Sequence, residues 1–139
     1  MIDWLYFFHI VGIIIALGAV TVIDTLGFLG RNSAKWTQTT IQAHFVTKPL
    51  IWLGTIIVVV MWLFMLAMEQ WDGLFGLKSL LLLLLVINGA FLSFYISPRL
   101  IERQYLYATL PARLQRLIVV SMLISFVSWW TVVFLTVAL

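Results

Sequence analysis

The sequence predicts an all-α integral membrane protein, a four-helix bundle with both termini on the outer, periplasm-like side. Three observations carry this. Of 139 residues, 64% are hydrophobic and only 9% charged, and the mean hydropathy is +1.15, well beyond the roughly half apolar, quarter charged balance of soluble domains. Four apolar runs, at about 4–28, 40–68, 74–96 and 114–138, each reach the ~20 residues that a membrane crossing needs. The basic residues alternate by connection. Arg31 and Lys35 fall in the first, and Arg99, Arg103, Arg113 and Arg116 in or beside the third, whereas the second carries Glu69 and Asp72 with only Lys78 nearby. The positive-inside rule therefore places the first and third connections in the cytoplasm, and residues 1–139 form a single membrane domain.

The same distribution answers the net charge of +3 and pI near 9.6. Basic residues gathered at span ends report topology, and no nucleic-acid partner is expected. There are no cysteines, which excludes disulfides, zinc–thiolate and iron–sulfur sites and thiol chemistry. The first charge is Asp3 rather than a basic residue, and the first run exceeds an ordinary signal-peptide core, so it is expected to be retained.

The first run places His9, Gly12, Ala16, Ala19, Val20 and Asp24 within an arc of about 140° at helical spacing. That face should look inward, because ionisable groups are costly in lipid and small residues let a neighbouring helix approach. On the second run His44, Lys48, Ile51, Thr55, Trp62 and Glu69 share a face, and Pro49 is positioned to kink the span. The third run carries Lys78, a leucine stripe at Leu80–Leu85, Asn88 and Ser93. The fourth carries Ser121, Ser125, Ser128 and the pair Trp129 and Trp130. Trp4 and Trp71 suit an outer aromatic belt and Trp36 an inner one. The segment from Arg99 to Arg116 interleaves arginines with apolar residues. It reads equally as an interfacial helix broken at Pro111 that meets anionic headgroups, or as a solvated connector.

Antiparallel threading gathers Asp24, His44 and Lys48 at the cytoplasmic end and His9, Glu69 and Lys78 at the outer end. For each residue a structural role competes with a chemical one. Lys48 and Lys78 are close enough to span ends to snorkel, Asp24 with Lys48 or His44 can be a packing pair, and Asn88 and the serines suit interhelical hydrogen bonding. His9, inside a span on the small-residue face, balances between packing and a ligand or proton role. The two histidines differ in depth by roughly 15 Å, so one haem iron in a monomer does not reach both. A single-histidine site at His9, or one completed by a second subunit, is the haem arrangement that the spacing allows. No other metal site is expected, since Asp24 and Glu69 lie at opposite ends.

Phe8-His9-Ile10-Val11-Gly12 together with Lys78 resembles the bacterial membrane-embedded protoporphyrinogen IX oxidases of the HemJ type, and more distantly the copper-resistance D proteins. That resemblance implies a helical membrane fold that binds haem, with His9 and Lys78 as the important positions. Gly18-Ala19 and Asp24 stand where that family has further first-helix motif residues. His9, Gly12, Gly18-Ala19, Asp24, Lys78, Asn88-Gly89, Pro98 and Ser128-Trp129-Trp130 are also similar to a set of four-span bacterial membrane proteins without an assigned activity, which implies a multi-pass protein of the bacterial inner (cytoplasmic) membrane.

Three functions follow as expectations. The first is a b-type haem or porphyrin held by His9 for redox chemistry, with Lys78 toward a propionate, Trp129 and Trp130 against the ring, and quinone as a membrane partner. The second is a proton or small-solute transport module that uses Asp24, His44, Lys48 and Asn88 as a relay and, at this chain length, requires a homo-oligomer. The third is an accessory subunit whose polar seam serves assembly with a protein partner. No nucleophile–base pair marks catalytic residues, and whether the chain is an enzyme stays open.

Overall fold

In the computed structural model, residues 2–68, 73–102 and 107–137 are described, and they are helical almost throughout. Helix α1 spans Ile2–Gly30 and α2 spans Ala34–Leu66. The third crossing is α3 (Gly73–Ala90), a π-helical segment Phe91–Ile96, and α4 (Ser97–Glu102) in direct succession. A short 3₁₀ turn at Tyr107–Thr109 precedes α5, Ala112–Val137. Four crossings are thus long and apolar enough to span a bilayer, which makes this a multi-pass membrane bundle. The Tyr6 hydroxyl donates to the Thr136 carbonyl, so the first and last helices meet at the end that holds both termini. The expectations for Glu69, Trp71, Asp72 and Arg103 lie outside the described residues.

The first connection is shorter than hydropathy suggests. Only Arg31–Ser33 separate α1 from α2, because the polar stretch 34–39 extends the helix beyond its apolar part. The turn is held by hydroxyls: Thr37 donates to the Gly30 carbonyl at 2.9 Å and Thr40 to that of Leu26 at 2.9 Å. The Gly30 carbonyl also accepts from the Ser33 N–H at 3.3 Å, so backbone and side-chain donors together close the last turn of α1. The third crossing is longer than expected and runs through Pro98 to Glu102. Proline lacks an N–H and its ring crowds the carbonyl one turn back. A π segment immediately before it loosens that turn and lets the helix continue. Pro111 ends the third connection and begins α5, with its carbonyl accepting from Leu114 at 2.8 Å and Gln115 at 3.1 Å. Arg113 and Arg116 therefore lie on the first turns of α5, and Arg99 near the end of the third crossing, rather than in a loop.

The bundle consists of two pairs. Helices α1 and α2 pack most extensively, because Gly12, Ala16 and Gly54 bring the backbones almost into contact. A methyl on Gly54 would sit 2.6 Å from the Ala16 nitrogen and from the Gly12 carbonyl oxygen, and one on Gly12 would sit 2.9 Å from the Gly54 oxygen. The α3–α5 pair is joined by a reciprocal bond: Asn88 Nδ2 donates to the Ser121 carbonyl and Ser121 Oγ donates to Asn88 Oδ1, both at 2.9 Å. There are two apolar cores, of which the first joins the two pairs and the second lies wholly within the pair formed by the third crossing and α5. One, including Ile13, Ala16, Val58, Leu82, Trp129 and Val132, lies toward the outer half; the other, around Ile96, Leu110 and Ile118, lies at the basic end.

Candidate functional site

Between those cores the two helix pairs stand apart, and α2 reaches the third crossing only through side chains. His44 Nε2 and the Ser97 hydroxyl are 3.3 Å apart, Lys48 Nζ donates to the Ser93 carbonyl at 3.4 Å, and Trp52 Nε1 donates to the Ser93 hydroxyl at 3.0 Å. Bulky polar groups here take the place that Gly12 and Gly54 hold in the other seam. The space they prop open is a cavity of about 190 Å³. Asp24, His44 and Lys48 all line it, with Ser93, Ser97 and Ser125, against apolar walls that include Ile51, Leu85 and Trp129.

The structure therefore brings together the three ionisable residues that threading assigned to one end. It also shows how they relate. No ion pair joins Asp24 to Lys48, and Asp24 has no hydrogen-bond partner among the described residues. A packing pair requires contact. Asp24 therefore stands on the cavity wall without an ion-pair or hydrogen-bond partner among the described residues.

Toward the end that holds both termini the cavity ends at the apolar core of Val20, Leu85 and Trp129. Beyond that core lies a second polar level. His9 is fully buried, and its Nδ1 lies 3.3 Å from the Val58 carbonyl. A carbonyl only accepts, so Nδ1 carries the proton and Nε2 presents its lone pair. That Nε2 has no partner, nor does the indole N–H of Trp62 or the hydroxyl of Thr136. Lys78 lies close enough for its charge to act on His9, and Trp62 stacks on Phe75 with centroids 5.8 Å apart. On α3 and α5 the outer level and the cavity are separated by about two turns, or ~10 Å, of apolar residues.

The remaining sequence-predicted residues fall elsewhere. Asn88 is engaged on both sides by Ser121 and is not on the cavity wall. Trp129 is buried and faces the cavity, whereas Trp130 is 49% exposed on the lipid-facing side. His9 lines none of the four cavities found toward the basic end among the described residues. Among the described residues no three His, Asp or Glu side chains gather as a metal cage. Sequence reasoning missed Ser97 and Trp52. The signal was present, since Ser93 and Ser97 lie one turn apart, directly before Pro98.

No family model, curated protein or solved structure matches the chain.

Proposed function

We propose that this chain is a proton or small-solute transport module of the bacterial inner membrane that loads its cargo at the Asp24–His44–Lys48 cavity. The observation that carries the reading is that an unpartnered carboxylate, a lysine and a histidine from two helices share one cavity inside an apolar bundle. Three ionisable groups at that depth are costly and need a purpose. The cavity ends on an apolar core, as a binding site exposed to one side at a time requires. The π segment beside Ser93 and Ser97 supports the same reading, because such bulges recur at functional positions. A single bundle of this size fits a pathway completed by a second copy.

The test is electrical. The protein is reconstituted in vesicles on a solid-supported membrane, and the charge moved on a pH step is recorded for wild type, Asp24→Asn and Lys48→Met. Wild-type current that falls about tenfold or more in both variants, the equivalent of losing one contact of about 1.4 kcal/mol, supports the reading. Wild-type current equal to that of empty vesicles overturns it.

A second reading rests on His9. A ligating histidine characteristically donates its other ring N–H to a carbonyl or carboxylate, and His9 does this toward Val58 while presenting an unpartnered Nε2. The donor fits an axial ligand to a b-type haem or porphyrin. The surroundings fit less well, because His9 is enclosed by packed helices and Trp130 faces lipid. A Soret band in protein from a haem-supplemented host, lost in His9→Ala and kept in His44→Ala, would establish it; colourless wild type would remove it.

A further inference from the structure

The Asp24 cavity does not stop at its own walls. Gly27, Thr40, Leu100, Ile118 and Met122 also line a neighbouring cleft of about 390 Å³, which runs between the inner end of α1 and the first half of α5. The outer members of that cleft are Phe28, Val119 and Leu123, which are 59%, 44% and 59% exposed. These are apolar side chains on spanning helices, so what they face is hydrocarbon. Val119 and Leu123 lie about one and two turns deeper than Arg116. Gly27 forms part of the α1 wall, and a methyl placed on it would meet nothing within 4 Å. Packing between α1 and α5 is sparse compared with α1 and α2. At the mouth Arg31 lies 3.5 Å over the Phe28 ring and donates to the Phe28 carbonyl, which sets a cation at headgroup level.

The chemistry of the far end restricts what can arrive. Asp24 offers an acceptor without a partner, and Lys48 commits a single N–H, to the Ser93 carbonyl. A bare anion would be repelled by Asp24 and a bare cation by Lys48, whereas a hydroxyl can donate to the one and accept from the other. Room for about six water-sized groups accommodates a small head and the start of a chain. We infer that the cavity is loaded sideways from the cytoplasmic leaflet, through the cleft between α1 and α5, and that its ligand is a membrane-borne amphiphile with an uncharged hydroxyl head, of the long-chain alcohol or phenol class. This rests on the transport reading for the site and names its substrate class.

The test uses the full chain in vesicles of phosphatidylcholine and phosphatidylglycerol. The probe is a long-chain alcohol with a photoactivatable diazirine next to its hydroxyl, and a short, water-soluble alcohol with the same group is the control. Labelled residues are mapped by mass spectrometry. Wild type is expected to be labelled at Trp52, Met122 and Trp129 by the long-chain probe and not by the short one. Gly27→Phe, which fills the cleft, should reduce that labelling several-fold while lipid-facing Phe134 stays labelled; Gly18→Phe, on an open face of α1 away from the cleft, should leave it unchanged. Leu123→Trp narrows the cleft from α5 and should repeat the Gly27→Phe result, so a failure of Gly27→Phe to insert still leaves the inference decidable. Undiminished cavity labelling in Leu123→Trp, or equal labelling by the short alcohol, overturns it. Labelling reads access of the amphiphile and the pH-step current reads proton movement at the site, so either can fail alone.

Discussion

The seam between α1 and α2 and the seam between α2 and the third crossing are built from opposite materials. In the first, Gly12, Ala16 and Gly54 remove side chains, and two backbones come so close that one methyl group does not fit. In the second, His44, Lys48 and Trp52 stand as struts against Ser93 and Ser97. Within a membrane, helices gain little from mutual apolarity, so close packing and hydrogen bonds have to hold them together. This chain uses packing where the interface is to stay shut and hydrogen bonds where a space is to stay open. The lesson is that residue size along a seam, rather than hydrophobicity, decides which interface is sealed and which can hold a ligand.

Substitutions can break this contrast. The largest effect is expected for Gly54→Ala, whose methyl meets backbone on the opposite helix; a loss of about 3 kcal/mol, at the upper end of overpacking costs, should appear in reversible unfolding from mixed micelles. Asn88→Ala removes the reciprocal bond with Ser121 and should cost about 1 kcal/mol in the same assay, as interhelical hydrogen bonds in membranes do. Gly89→Ala is the smallest. Gly89 lines the cavity and an added methyl meets nothing within 4 Å, so stability should stay within about 0.5 kcal/mol of wild type. If Gly89→Ala were as costly as Gly54→Ala, the open seam would be as tightly packed as the closed one.

Much of the closed seam was legible. The 100° stepping that grouped His9, Gly12, Ala16, Ala19, Val20 and Asp24 describes a face that is buried from His9 to Val20 and half-buried at Asp24, where it meets the cavity, since regular helices obey that arithmetic and small residues mark close approach. Gly54 was not singled out because its meaning depends on where the turn falls. With the turn at Ser33, Gly12 and Gly54 are equidistant from it, as are Leu26 and Thr40, which share a hydrogen bond. A connection read as 29–39 hides that symmetry. At the candidate site the convergence of Asp24, His44 and Lys48 followed from antiparallel order alone. Ser97 did not, because the π segment at Phe91–Ile96 changes the angular stepping of everything after it, and Trp52, about 80° round α2 from His44, falls at the edge of the polar face. The side-by-side placement of Trp129 and Trp130 concealed that one faces the cavity and the other the lipid.

The short turn at Arg31–Ser33 also bears on how the protein is made. A hairpin that closes through three residues and packs along its length draws nearly all its contacts from the first half of the chain. Once α2 has been synthesised, the hairpin has what it needs to assemble in the bilayer, before α3 and α5 exist. The second half then docks onto a finished surface that already carries Asp24, His44 and Lys48. Biogenesis is thereby ordered: the rigid wall of the cavity is set first, and the ribosome delivers the half that closes over it last.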